Sequence, residues 1–160
     1  MSCVNTASFF VLVNGSPSTF FKGSRGIRQG CPLSPYLFML IIEGLSLLPN
    51  QAKKDKRIKG VKVSGTIHIT HTLFVDDVII FGSGSVVEWH IIKELSNLFC
   101  LASGMTFSIS KSCFRHCRLN DSSLQDITQL FSIYSKHLDD GITYLGFFLG
   151  PNHYQCSDWD

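Results

Sequence analysis

The sequence predicts an α+β domain, and three observations carry that reading. Short β-branched runs are bounded by Gly, Pro and Asn. Apolar residues recur at helical spacing in three longer stretches. No internal repeat, low-complexity tract or linker divides the 160 residues, which suit one domain or a piece of a larger one.

The elements follow in order. Strands are predicted at 9–13 and 20–22 around Asn14-Gly15, the strongest short hairpin signal, with Pro17 keeping the start of the second strand off the ladder. A stiff loop rich in Gly and Pro covers 25–35. Ser34 then caps a helix with Pro35 at its first position. Leu37, Phe38, Ile41, Ile42, Leu45 and Leu48 follow at helical spacing, and Pro49 helps end the run. Glu43 is its only charge, which predicts a helix buried nearly all round. A basic loop over 53–59 leads to strands at 61–63, 67–70, 73–75 and 78–81. Ser85-Val86-Val87-Glu88 reads as a capping box, opening a helix with apolar positions at Val87, Ile91, Leu95, Leu98 and Ala102 and stopped by Gly104. Strands are predicted near Phe107 and near Cys113 and Phe114. A second capping box, Ser122-Ser123-Leu124-Gln125, leads a helix with Leu124, Ile127, Leu130 and Phe131 on one face. The stretch 144–149 reads as a last strand.

Hydrophobic residues make up 44% of the chain and charged residues 16%, where about a quarter is usual for a free-standing soluble domain. Such a chain is expected to bury surface against a further partner. A net charge of +2 does not by itself argue for nucleic acid, but its distribution says more. Lys53, Lys54, Lys56, Arg57, Lys59 and Lys62 crowd ten positions broken only by Asp55, and Lys22, Arg25 and Arg28 form a second basic patch. The longest apolar stretch, 31–42, is too short to span a bilayer. The N-terminus lacks the basic start of a secretory signal, so the chain reads as intracellular and not secreted. Six scattered cysteines read as reduced, mostly buried thiols; Cys113 and Cys117 flank His116 without a second pair at zinc-site distance.

The costliest feature to explain as packing is Asp76-Asp77, set inside the apolar run from Leu73 to Phe81. Adjacent carboxylates in such a run repel each other and lose hydration, a cost that a cation between them relieves. Mg²⁺ suits the pair, since it keeps most of its water and takes one or two carboxylates plus substrate phosphates. An exposed Asp-Asp turn at a hairpin tip is the plain structural alternative.

Four segments together resemble reverse transcriptases of LINE-type (non-LTR) retrotransposons, especially plant ones, in order and close to family spacing. Arg25-Gly26-Ile27-Arg28-Gln29-Gly30-Cys31-Pro32-Leu33-Ser34-Pro35-Tyr36-Leu37-Phe38 resembles motif B. Phe74-Val75-Asp76-Asp77 resembles motif C, Ser103-Gly104-Met105 through Lys111-Ser112 motif D, and Tyr144-Leu145-Gly146 motif E. Together they run through most of 1–150, with 151–160 a short tail. The resemblance implies a polymerase palm, a sheet with helices packed on one face, incomplete at both ends. It implies Asp76 and Asp77 as metal ligands for Mg²⁺ and as catalytic residues, with Lys111 steering or protonating pyrophosphate. Arg25 and Arg28 would face phosphates, and Gln29 and Gly30 the template or incoming nucleotide. Tyr144, Leu145 and Gly146 would grip the primer end. The partners implied are an RNA template, a DNA primer, a dNTP and the fingers and thumb of a parent polymerase; no membrane is implied. An organellar intron-maturase-like fragment and a non-catalytic nucleic-acid-binding remnant are the alternatives.

Departures from the family pattern are Val75 for Ala, Cys31 for Asp and Ser108 for Asn. The gravest concerns motif A, which supplies a third carboxylate upstream. No Asp or Glu precedes Glu43, and the chain alone is therefore expected not to polymerise DNA.

Overall fold

A computed structural model describes residues 7–23, 26–27 and 30–150. The chain is a mixture of helices and short strands, as the α+β expectation has it. It divides into two units, Met1–Glu43 and Gly44–Asp160. Among the described residues the strands pair two by two.

In the first unit, β1 (Ser8–Phe9) pairs antiparallel with β4 (Phe21–Lys22), and β2 (Leu12–Val13) with β3 (Ser16–Pro17). The predicted hairpin is thus a ribbon in two parts. Between them the Val11 N–H donates to Ser18 Oγ and the Ser18 N–H to the Val11 carbonyl. Asn14 (φ 50°) and Gly15 (φ 81°) both take the positive φ that the tight hairpin turn demands. Pro17 stands in the ladder opposite Leu12, not off it. A two-stranded ribbon leaves each strand one free edge, where the missing N–H costs nothing.

Helix α1 (Ser34–Lys54) starts where expected but runs past Pro49. An interior proline costs about 3 kcal/mol. The last turn offsets this by burying Ala52 and by anchoring Lys53, whose Nζ donates to the His68 carbonyl. The basic loop consequently begins at Asp55. Nor is α1 buried all round: Leu45, Leu48, Pro49 and Ala52 form the packed stripe, while Tyr36, Met39, Leu40 and Leu47 are exposed. A helix presents only one stripe to one neighbouring layer, however apolar the rest of its surface is.

In the second unit, β5 (Val61–Ser64) pairs with β6 (Ile67–Ile69), and β7 (His71–Phe74) with β8 (Asp77–Ile80), both antiparallel. Helix α2 (Val86–Ser103) ends at Gly104, left-handed at φ 71°, as expected. Its buried stripe differs from the predicted one. Glu88, Trp89, Ile92, Ser96 and Phe99 are inside, while Val87 and Leu98 are exposed. The helix carries two apolar stripes, and the one with the large Trp89 and Phe99 rings buries more area. Ser85 makes no side-chain cap, and Glu88, the other half of the expected capping box, is turned inward to other donors.

No strand forms around Phe107; a single 3₁₀ turn (Ile109–Lys111) follows instead. Next, β9 (Cys113–His116), α3 (Asp121–Phe131) and β10 (Tyr134–His137) make a βαβ unit with the two strands parallel. Asn120, not the predicted Ser122, caps α3, accepting from the Ser123 N–H at 2.8 Å. The predicted face of α3 is borne out: Ile127 is fully buried, with Leu124, Leu130 and Phe131 packed beside it. The core gathers Ala52, Ile58, Trp89, Ile92, Phe114 and Ile127. Trp89 meets Phe114 edge-on at 5.0 Å and donates its indole N–H to the Ser83 carbonyl. The last predicted strand is a hairpin, β11 (Ile142–Tyr144) with β12 (Phe147–Leu149), turning at Leu145-Gly146. Cys31, Cys100 and Cys113 are half-buried and Cys117 is exposed, so the described cysteines are less buried than expected; Cys100, Cys113 and Cys117 are free thiols.

Candidate active site at the aspartate hairpin

Register assigns the two faces of the β7–β8 hairpin. His71 lies opposite Ile80 and Leu73 opposite Val78 on one face. These four line an apolar cavity with Leu45 and Leu48 of α1 and Ile92 and Leu95 of α2. Thr72, Phe74, Asp77 and Ile79 hold the alternate positions, which a pleated strand turns the other way. His71 ties the base of the hairpin to α1: its Nε2 is 2.9 Å from Ser46 Oγ and its Nδ1 3.0 Å from Thr70 Oγ1. The Phe81 N–H to Thr70 carbonyl bond extends the ladder one step beyond.

At the other end, the turn consists of Val75 and Asp76, with Phe74 paired to Asp77. Val75 has φ 53°, a left-handed conformation that β-branched residues rarely adopt and for which glycine is the usual occupant in such a turn. Its side chain is 63% exposed, so the extra methyls relative to Ala crowd nothing; the strain is in the backbone. Asp76 and Asp77 are both exposed. The hydration loss expected from the apolar run is therefore absent, because only one face of the hairpin is packed.

Two adjacent, water-accessible carboxylates offer the hard oxygen donors that Mg²⁺ prefers, with room for water and phosphate oxygens. Among the described residues no third His, Cys, Asp or Glu joins them to make a larger ligand group. The donor set fits a weakly held ion of this kind.

The other expected site residues are distributed as follows. Lys111 ends the 3₁₀ turn and is exposed. Tyr144 is half-buried at the end of β11, and Leu145 (φ 54°) and Gly146 (φ 85°) form the turn to β12. Among the described residues no hydrogen bond or ion pair joins Asp76 or Asp77 to Lys111 or Tyr144. Gly30 has φ 75° and Gly26 φ 82°, both in the region that favours glycine. Arg25, Arg28 and Gln29 lie outside the described residues.

One functional side chain was missed by sequence reasoning. Glu88 is 5% exposed, and its carboxylate holds the end of the basic loop. Oε1 accepts from the Lys59 and Gly60 N–H groups at 2.8 Å each, and Oε2 from the Ser83 N–H at 2.9 Å and from the Ser83 hydroxyl. Burial pushes this carboxyl up, but the Ser83 hydroxyl and the three N–H donors outweigh it and hold it below the usual carboxylate range. The available signal was local: Glu88 stands between Val87 and Trp89, in a helix that also carries Lys93 and Glu94.

No helix among the described residues is long and apolar enough to cross a membrane. A family model described as reverse transcriptase (RNA-dependent DNA polymerase) matches residues 1–149. An uncharacterized mitochondrial protein of Arabidopsis thaliana is 48% identical over 67 residues, covering 41% of this chain and 55% of that protein. The Transposon TX1 uncharacterized 149 kDa protein of Xenopus laevis is 30% identical over 108 residues, covering 67% of this chain and 8% of that protein. The chain thus spans about half the length of the first relative and a small part of the second. Because the match runs from the first hairpin through the aspartate hairpin to the last one, the chain belongs to the reverse transcriptase (RNA-dependent DNA polymerase) family.

Proposed function

We propose that this chain is part of the palm of an RNA-directed DNA polymerase of LINE type, with Asp76 and Asp77 as its Mg²⁺ ligands. The observation that supports this is the hairpin itself. It is packed on one face only, turns through a strained Val75, and presents two neighbouring carboxylates to solvent. A bound Mg²⁺ would supply charge neutralisation to a triphosphate and make a primer 3′-hydroxyl easier to deprotonate. The protein's own side chains would position the reactants. Arg25 and Arg28 would hold phosphates, while Gln29 and Gly30 would meet template or dNTP. Lys111 would serve pyrophosphate, and the turn at Tyr144, Leu145 and Gly146 would hold the primer end.

A two-metal nucleotidyl transfer needs three carboxylates, and among the described residues no third joins Asp76 and Asp77. Losing a partner one step removed from a metal typically costs about 10- to 100-fold, so a missing direct ligand costs more. The chain alone is expected not to extend a primed RNA template, and extension that disappears in Asp76→Asn would overturn that. Metal binding is the direct test. Mn²⁺, an EPR-visible substitute, is titrated into the protein with and without a dNTP. Weak binding that is lost in the Asp76→Asn, Asp77→Asn double variant is the expected result. Equal binding by that variant would remove the basis of the proposal.

A further inference from the structure

We propose that the 54–62 segment is a platform for a nucleic-acid phosphate backbone, separate from the aspartate hairpin and independent of metal. Lys54, Lys56, Lys59 and Lys62 are exposed, and among the described residues no acidic side chain pairs with them. The nearby acids are otherwise engaged. Asp55 accepts from Gln51 Nε2 at 3.0 Å, Glu94 stands 3.7 Å from Arg57, and Glu88 is spent on main-chain and hydroxyl donors. Lys53 is anchored to the His68 carbonyl and belongs to the support.

The segment is also held in one shape. The Lys56 N–H donates to the Lys53 carbonyl, and the Arg57 and Ile58 N–H groups to the Ala52 carbonyl, closing the end of α1 in a Schellman turn. The Glu88 carboxylate then fixes Lys59 and Gly60. A Cβ on Gly60 would stand 2.1 Å from the Ile69 carbonyl oxygen, so the chain passes too close there for any other residue. Lys56 occupies the left-handed position of the Schellman turn at φ 58°, where glycine is the usual occupant. Lys56 thus places a cation where backbone energetics favour glycine. Lys54 at the end of α1, Lys56 and Lys59 on the pre-shaped loop and Lys62 in β5 all stand on fixed backbone, so little backbone freedom is lost when they meet a row of phosphates. Spaced phosphodiesters are the anion that matches such a row, and each contact releases counterions.

The test measures fluorescence anisotropy of a labelled 20-nucleotide RNA, and of DNA of the same sequence, with the intact chain in EDTA across a salt series. Four contacts on a single strand predict a slope of about −2.8 in log K against log salt, or roughly a fifty-fold loss of affinity from 50 to 200 mM. The variants are Lys56→Gly, which relieves backbone strain and so keeps the fold, and a Lys54→Ala, Lys59→Ala, Lys62→Ala triple. Each cation removed flattens the slope by about 0.7. Binding of either polymer with this flattening supports the platform, and the stronger of the two names the source of the backbone. Absence of binding to both, or wild-type slope in the variants, overturns it. Binding in EDTA that is lost in the Asp76→Asn, Asp77→Asn variant would also overturn it, by showing one site and not two. Failure of the Mn²⁺ titration leaves this inference standing.

Discussion

Glu88→Gln is the substitution whose consequence the structure defines best. The carboxylate accepts four hydrogen bonds, two on each oxygen. An amide has one accepting oxygen, so one side of the site must face an NH₂ group. The least costly orientation keeps oxygen toward Lys59 and Gly60. The Ser83 hydroxyl can then rotate to accept, but the Ser83 N–H is left without a partner. An orphaned buried N–H costs about 1–3 kcal/mol, and exchanging a charged acceptor for a neutral one costs about 1 kcal/mol more. The expected loss is therefore about 2–4 kcal/mol, or roughly 5–15 °C in Tm for a chain of this size. Urea unfolding followed by circular dichroism measures it, and a loss under about 0.5 kcal/mol would refute the role assigned to the carboxylate. The pH dependence supplies a second arm. The folded carboxyl is held below its ordinary range, so on acidification the unfolded chain takes up the proton first. The stabilisation is complete above the ordinary carboxylate value and fades as pH falls through it toward the depressed folded value. The wild-type and Gln stability curves accordingly converge in acid. A gap that stays constant would show that ionisation of Glu88 is not its source.

Four further substitutions probe the frame. Val75→Asn relieves a left-handed β-branched residue while losing an exposed side chain, and should stabilise by about 1 kcal/mol; a loss of that size would mean the valine packs against something. Gly60→Ala drives a Cβ into the Ile69 carbonyl at a positive φ and should cost about 3 kcal/mol or more, read as a drop in the urea midpoint. Asn120→Ala removes the cap of α3 and should cost about 1 kcal/mol, whereas Ile127→Ala, in the fully buried position of that helix, should cost about 2–5 kcal/mol; equal effects would misplace the core.

What could be read from the sequence was what local chemistry decides. Asn14-Gly15 and Gly104 announce their backbone conformations, and the β7–β8 hairpin follows from two β-branched runs around a polar break. What escaped depended on choices between comparable surfaces. Of the predicted α2 stripe, Ile91 and Leu95 do pack against the core, but Val87 and Leu98 are exposed, and Trp89, Ile92 and Phe99 on the adjoining face take the buried places. Strand β10 escaped because Tyr-Ser-Lys-His lacks apolar character; it pairs with β9 because α3 brings it back alongside. Tyr144 to Leu149 read as one strand since Leu145 is a poor turn former, and only Gly146 hinted at the reversal. The candidate site divides the same way. The aspartate pair was visible as residues, whereas its exposure followed from which face of the hairpin meets α1 and α2.

Val75 and Leu145 pose one physical question together. Each is a branched aliphatic residue at positive φ in a two-residue hairpin turn, and each turn lies in a segment expected to meet substrate. Glycine or asparagine would remove roughly 1–2 kcal/mol of backbone strain at either place. Neither side chain is deeply buried, at 63% and 42% exposed, so core packing does not hold them there. Conformations of this kind persist where surrounding structure over-determines them. For Val75 the source is visible: the ladder from His71–Ile80 to Phe74–Asp77 is in continuous register and its inner face is anchored by Leu73 and Val78. The turn is therefore closed from below, and its first residue takes whatever φ closure requires. That same closure puts Asp76 and Asp77 side by side at the tip. Relaxing Val75 should thus change stability without moving the carboxylates, which separates the energetics of the turn from the chemistry it displays.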